Sequence, residues 1–195
     1  MLLRAAWFYG SLTVVCVFLF GALGQANVTV TGDRSAYDEV VAAFKKLFSL
    51  PGFRAKSTNA QGQSLLEYAA PDNWHFGAQG GQYGYEIIKV GGQVATRANM
   101  PGQPAGWRCR AAKNSDRPLF DPTSAEGTYD VSRGPDTVID GGPMHTIVWM
   151  NGGKRTTYYV GTQNGLPKRA TGGDDTIDYY DYGARVVIAL PSCGQ

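Results

Sequence analysis

The sequence predicts an α+β protein in which one N-terminal helix packs on an antiparallel meander of about eight to ten strands. One segment has the apolar spacing of a helix, and short runs rich in β-branched and aromatic residues follow it. Glycine is abundant, at 26 of 195 residues, and glycine-containing turns separate many of these runs. Strands joined by such short turns pair antiparallel.

The helix is predicted over Ser35–Ser49. Ser35 is expected to cap its N-terminus, with Asp38 at the third helical position as the second member of a capping box. Lys45 and Lys46 suit the negative end of the helix dipole, and a Pro-Gly pair ends the helix. One broad apolar stripe results, which must be buried on the sheet: Tyr37, Val40, Val41, Phe44, Leu47 and Phe48.

Ten runs are predicted to be strands, and the last of them is expected to complete the sheet. They are Phe53–Thr58, Ser64–Ala70, Trp74–Phe76, Tyr85–Val90, Gln93–Arg97, Thr128–Arg133, His145–Met150, Thr156–Val160, Thr176–Tyr182 and Arg185–Leu190. Several of these runs are apolar on both faces. Either both faces of the sheet are covered, or the helix covers one and the other closes around a cavity.

The segment Ala111–Gly127 interrupts the strand pattern. It is polar and contains two prolines, so it cannot continue a central strand. We expect it to be a loop over one mouth of the sheet.

Residues 1–26 have the features of a signal peptide. A basic start precedes an apolar run from Ala5 to Leu23, and small residues stand at the positions that a signal peptidase reads, with cleavage expected after Ala26. The alternative is an uncleaved membrane anchor. Cleavage would leave residues 27–195 as one domain of a periplasmic or secreted protein, not an integral membrane protein.

Two cysteines remain after removal of this segment, Cys109 and Cys193. An even count in an exported protein indicates one disulfide, since neither a CxxC motif nor a nearby histidine favours a metal site. Closing a loop of this length stabilises a fold by about 4 kcal/mol in the chain-entropy treatment.

Charge and motifs exclude several functional classes. The formal net charge is +2, which gives no electrostatic footprint for nucleic acid. The two histidines, His75 and His145, stand in different strands without a recognisable catalytic or metal motif, so we predict no catalytic residues, no metal and no cofactor. The densest acidic group is interpreted as a solvated hairpin edge rather than a calcium site: Asp174, Asp175, Asp178 and Asp181.

The order of motifs resembles that of the periplasmic lipoprotein-carrier superfamily, whose fold is that of LolA, LolB and LppX. The helix is followed by "APDNWHF", "YEIIKVGGQVATR" before "GWRC", "TVIDGGPMHTIVWM", "TTYYVGTQNGLPKRA" and "IDYYDYGARVVIALPSC". The resemblance covers about residues 35–191. It implies a strongly curved, unclosed half-barrel with the helix and a lid on the concave side, and Arg54 is the nearest candidate for the arginine of the carriers.

The resemblance also implies a non-enzymatic protein of the bacterial cell envelope that binds a hydrophobic or lipid-like ligand between sheet and helix. The residues expected to face that ligand are Val41, Phe44, Leu47, Ile147 and Trp149. The alternative is an envelope interaction module on the same scaffold, with a filled core and a protein partner held at a sheet edge or an aromatic patch. The tryptophans and tyrosines fit either interpretation, as pocket lining or as core filling.

Overall fold

The structure is a computed structural model that describes residues 28–102, 106–118, 122 and 126–193. The predicted signal peptide and its cleavage site lie outside these residues. The described residues contain one helix, α1 (Arg34–Phe48), and 13 strands. The strands are β1 (Val28–Gly32), β2 (Gly52–Asn59), β3 (Gly62–Ala69), β4 (Asn73–Gly80), β5 (Tyr83–Val90), β6 (Gln93–Asn99), β7 (Arg108–Ala111), β8 (Gly127–Arg133), β9 (Thr137–Ile139), β10 (Gly142–Asn151), β11 (Lys154–Gly161), β12 (Pro167–Gly172) and β13 (Asp175–Tyr180).

All strands belong to one sheet that does not close. Its order is β1-β8-β10-β11-β12-β13-β2-β3-β4-β5-β6-β7, and β9 pairs with β10 off this path. We call β2–β7 the first half and β8–β13 with β1 the second half; the β13–β2 ladder joins them. The predicted α+β class with an unclosed curved sheet is confirmed.

The predicted strand number is too low. The sequence prediction misses β1, β7, β9 and β12; of these, β7 and β9 are short and β12 is poor in the residues that mark strands. β12 begins at a proline and continues with Lys168 and Arg169, while β9 has three residues. The expected meander also leaves out one parallel ladder, in which β1 pairs with β8 from Val28 opposite Gly127 to Gly32 opposite Val131.

The helix begins one residue earlier than predicted and has a different cap. Asp33, not Ser35, is the N-cap residue, and its Oδ1 accepts a hydrogen bond from the Ala36 N–H at 3.0 Å. The Ser35 hydroxyl donates to the same carboxylate at 2.7 Å. An aspartate side chain accepts hydrogen bonds from the free amides of the first turn as well as a serine side chain does. The local sequence is therefore compatible with either residue as the N-cap.

The core lies between α1 and the face of the sheet that we call the inner face. The helix packs mainly on the second half, and its last turn reaches the start of the first half, where the Phe48 ring meets those of Phe53 at 5.4 Å and Tyr68 at 5.2 Å. Alternation along the strands puts these two residues and Trp149 on the inner face. The predicted apolar stripe of the helix is therefore buried on the sheet, as expected.

The C-terminal run Arg185–Leu190 is not the last strand of the sheet. Since β13 already pairs with β12 on one side and β2 on the other, no edge beside it is free. The chain instead leaves the sheet after Tyr180: the Gly183 N–H donates to the Gly52 carbonyl at 2.8 Å, and Val186 is buried over Gly52. We call residues 184–193 the strap.

The strap crosses the outer face of the first half and ends in the Cys109–Cys193 disulfide, which confirms the predicted pairing. The residues between its two anchors form one row across strands β2 to β7: Arg54, Glu67, His75, Ile88, Ala95 and Cys109. Five strand spacings amount to about 24 Å, and nine extended residues reach about 30 Å, so the strap can span the row. Ala95 is fully buried on this outer face.

Candidate functional site

The residues predicted to contact a ligand are brought together by the fold. Phe44, Leu47 and Ile147 have no exposed surface, Trp149 is 3% exposed, and Val41 is half-buried beside them. Tyr158 fills the space between the helix and β10, because its ring lies 5.9 Å from Phe44 and 4.9 Å from Trp149. The set is one packed cluster, and its assignment as a ligand site stays a prediction.

Two indole groups in this inner layer have unsatisfied hydrogen-bonding capacity. The Nε1–H groups of Trp74 and Trp149 are buried and have no acceptor among the described residues. A buried donor without a partner costs about 1–3 kcal/mol. An acceptor brought by a ligand or a water molecule would recover that cost.

An open cleft of about 810 Å³ lies at the end of the helix–sheet layer. The C-terminal end of α1 forms one wall with Phe48 and Ser49, and Tyr68 contributes a second aromatic surface. The β5–β6 turn closes the opposite side at Gly92, and residues 112–118 form the remaining wall. Phe48 and Tyr68 also pack on the core, so the apolar wall of the cleft continues into it.

The loop wall of the cleft is held in place by Asp116. Arg110 donates to both carboxylate oxygens of Asp116 at 2.6 Å, and the Lys113 backbone N–H donates to Oδ2 at 2.6 Å. The hydrogen bonds from Arg110 lower the pKa of the Asp116 carboxyl below its ordinary value of 3.8, and the Lys113 amide acts in the same direction. The Ala112 N–H also bonds the Gly92 carbonyl at 2.8 Å. Residues 112–118 of the predicted loop therefore lie beside the β5–β6 turn, while residues 119–121 and 123–125 lie outside the described residues.

The floor of the cleft contains a buried cation. Lys89 is 6% exposed and forms an ion pair with Asp72, while Asp116 lies near enough to interact with it electrostatically. Tyr68 donates a hydrogen bond to the Pro71 carbonyl at 2.7 Å, and burial raises the pKa of this tyrosine. Sequence reasoning misses Lys89, since a lysine in the alternating run "YEIIKV" is ordinarily solvent-exposed.

A second depression, of about 690 Å³, is lined by β3–β6 residues. Leu65 and Gly77 contribute to it, and the Glu86–Arg97 ion pair at 2.7 Å lies at its side. Alternation along the strands assigns these residues to the outer face. Unlike the cleft, it has no wall contributed by the helix.

The two histidines lie on opposite faces of the sheet. His145 contacts Glu39 of the helix at 2.6 Å, and Glu39 also pairs with Arg133 at 2.8 Å. His75 lies 3.4 Å from Glu67 under the strap. The two rings therefore cannot act together.

The acidic group of the last hairpin is distributed among cationic and amide partners. Asp178 pairs with Arg169 at 2.6 Å, and Asp175 accepts a hydrogen bond from Asn59 at 2.6 Å. Asp181 pairs with Arg54 at 2.8 Å. These contacts place Arg54 on the outer face, away from the helix, so it does not lie in the groove where a carrier arginine is expected.

No helix within the described ranges is long and apolar enough to cross a membrane. The sequence matches no protein-family model and no curated protein. Similarity is found to solved structures, among them five at 7–12% sequence identity.

Three of these structures cover most of the chain. A DUF1329 family protein from Desulfovibrio piger matches 78% of this chain and 92% of its own, at 10% identity and a TM-score of 0.39. MucB matches 85% of this chain and 62% of its own, at 12% identity and a TM-score of 0.39. A putative outer membrane lipoprotein-sorting protein domain from Vibrio parahaemolyticus matches 71% and 73%, at 9% identity and a TM-score of 0.35. All three TM-scores are below 0.5, so these similarities carry no conclusion about family, ligand or activity.

Proposed function

We propose that the protein is a non-enzymatic binding protein of the bacterial cell envelope that takes a hydrophobic or lipid-like ligand at the cleft between the helix end and the 112–118 loop. The observation that carries the proposal is the cleft itself. It has about 810 Å³ of space, and its aromatic wall of Phe48 and Tyr68 continues into the core. Cavities of this size accommodate small organic ligands.

The contacts of the ligand are proposed to extend from the cleft toward the predicted cluster of the inner layer. A chain entering past Phe48 would approach Leu47 and Phe44, which follow it along the buried face of the helix. Each buried methylene contributes about 0.8 kcal/mol. The unsatisfied Trp149 indole supports a role for this residue beyond packing.

An uptake assay that follows the fluorescence of a fatty-acid probe tests the proposal. The full chain is expressed with its own N-terminal segment, purified, and titrated with a fluorescent fatty acid whose emission rises in an apolar site. We expect saturable binding that unlabelled laurate displaces. Titration without saturation, together with native mass spectrometry that finds no co-purifying lipid, would refute the proposal.

A variant that fills the cleft, compared with a matched control variant, tests whether the ligand binds in the cleft. Gly92 lines the cleft, and a Cβ at this position has open space around it, so Gly92→Phe introduces an aromatic ring at the mouth of the cleft. Gly106 has equal space around it and is not part of the cleft lining. We expect Gly92→Phe to abolish uptake and Gly106→Phe to leave it unchanged; equal uptake by the two variants would exclude the cleft.

A second candidate function is an interaction module with a protein partner. The filled core favours it, because Phe44, Leu47 and Ile147 leave no exposed surface between helix and sheet. The edge strand β7 favours it as well, since all four of its residues are exposed and one side of the strand pairs with no strand of the described residues. Absence of lipid uptake together with a partner that pairs with β7 would establish this function instead.

A further inference from the structure

We infer that the cleft binds the anionic group, a phosphate or a carboxylate, of an amphiphilic ligand. This inference rests on the proposed function and specifies its ligand class. Four cationic side chains line the cleft, namely Lys45, Lys89, Lys113 and Arg117, against two carboxylates. The lining therefore has a formal net charge of +2.

Each carboxylate of the cleft already has a cationic partner, one inside the lining and one outside it. Asp72 pairs with Lys89, and Asp116 receives two hydrogen bonds from Arg110. Lys45, Lys113 and Arg117 have no ion pair with any described residue. These three cations are exposed and available to a ligand.

Backbone hydrogen bonds within the loop fix the positions from which two of these cationic side chains project. Asp116 donates its N–H to the Lys113 carbonyl at 2.9 Å while its carboxylate accepts the Lys113 N–H, and the Arg117 N–H bonds the Ser115 carbonyl at 3.0 Å. Lys113 and Arg117 thus project from a tight turn rather than from a free loop. A preorganised pair of cations loses less entropy when it binds an anion.

The last turn of the helix supplies the third cation. Its two lysines differ, because Lys46 donates to the Asn164 carbonyl at 2.7 Å on the second half of the sheet, whereas Lys45 lines the cleft. Phe48, one turn further along, presents an aromatic surface to the same space. One end of the cleft wall is therefore cationic and the adjoining surface is apolar, which matches a charged group joined to a hydrocarbon chain.

The experiment compares two amphiphiles that have the same dodecyl chain and different head groups, with inorganic phosphate as a head group alone. Dodecyl phosphate, neutral dodecyl maltoside below its micelle concentration, and inorganic phosphate are each titrated into the full-length protein by calorimetry. The test variant is Lys113→Gln/Arg117→Gln. The matched control is Lys154→Gln/Arg155→Gln, which removes two exposed cations at the start of β11, outside the cleft. Thermal unfolding checks that both variants fold.

We expect dodecyl phosphate to bind about tenfold more tightly than the maltoside, with an affinity that falls as salt rises. The test variant should remove that difference and leave maltoside binding unchanged, while the control variant behaves as the wild type. Equal binding of the two amphiphiles, unaffected by the test variant, overturns the inference and leaves the proposed function standing. Failure of both amphiphiles to bind overturns the proposed function as well. If inorganic phosphate binds as tightly as dodecyl phosphate, the cleft is a site for a simple anion, and the inference of an amphiphilic ligand is overturned.

Discussion

The two halves of the sheet are covered on opposite faces. The second half is covered on its inner face by α1, whose buried residues pack on Ile147 and Trp149. The first half is covered on its outer face by the strap, which is anchored at Gly52 and at the Cys109–Cys193 disulfide. On its inner face, Trp74 and Phe76 are buried in the core, and Lys89 lines the cleft. The difference shows how one sheet can be covered by a helix on the inner face of one half and by an extended segment on the outer face of the other.

The comparison also accounts for one strand that is buried on both faces. In β6, Val94 and Ala95 point to opposite faces, yet both are fully buried. A sheet with only the helix as cover would leave Ala95 in water. The strap provides the second cover, so the two-sided pattern requires neither a closed barrel nor a cavity at this point.

The largest expected effect is in the half covered by the helix. Leu47→Ala removes a side chain that has no exposed surface, so we expect a loss of about 3–5 kcal/mol in the free energy of unfolding. Leu65→Ala is the same change at a half-buried position on the outer face of the first half, with an expected loss of about 1 kcal/mol. Urea unfolding followed by circular dichroism measures both. Equal losses would contradict the assignment of Leu47 to the core and of Leu65 to the outer face.

The disulfide is expected to contribute the next largest effect. Its two cysteines are 84 residues apart, and removing such a bond by Cys109→Ser/Cys193→Ser should lower the free energy of unfolding by about 2–4 kcal/mol. Because the bond fastens the strap to β7, the loss of amide protection should concentrate in β5–β7 and spare the helix. Hydrogen exchange with and without reductant measures this. Unchanged thermal stability after reduction would mean that the bond does not form in solution.

A smaller effect is expected within the strap itself. Val186 is 8% exposed and its neighbour Val187 is 81% exposed, so the two valines differ only in the side they present. We expect Val186→Ala to cost about 1 kcal/mol and Val187→Ala to stay within about 0.5 kcal/mol. Thermal unfolding of the two variants under oxidising conditions gives the comparison. A larger loss for Val187→Ala than for Val186→Ala would show that the strap packs on the sheet through the side that contains Val187.

The smallest effect concerns the loop wall of the cleft. The folded pKa of Asp116 is lowered, so its stabilising contribution is present above its ordinary pKa of 3.8 and is lost as pH falls through the folded pKa. At pH 7 we expect Asp116→Asn to cost about 0.5–1 kcal/mol and to increase amide exchange at Lys113. The gap from the wild type should shrink in acid. A gap that is independent of pH would contradict a charge-based anchor.

The sequence predicts the long, periodic elements well. The stripe through Val40, Phe44 and Leu47 identifies α1, because burial on a sheet requires that spacing, and the run containing Ile147 and Trp149 identifies β10. The strap is mistaken for a strand, since the alternation of Val186 to Leu190 is the same whether an extended segment hydrogen-bonds to a neighbouring strand or only packs on a sheet. Local patterns do not contain that distinction.

The cleft is less predictable than the fold. Lys45, Lys89 and Lys113 come from three separate segments, and they meet only because the 112–118 loop turns back onto the β5–β6 turn. The polar, proline-containing composition of the loop indicates a mouth-covering segment. It does not indicate which surface the loop meets, so the predicted ligand residues centre on the core and omit the cationic wall.

Mapping laurate binding by nuclear magnetic resonance on the isotopically labelled full chain tests the central claim most directly. The account predicts that amide shifts change at Phe48, Ser49, Gly92 and Lys113, which surround the cleft. It predicts no change at Leu65 and Gly77 in the outer depression. Shift changes confined to that depression, or none at saturating laurate, would contradict it.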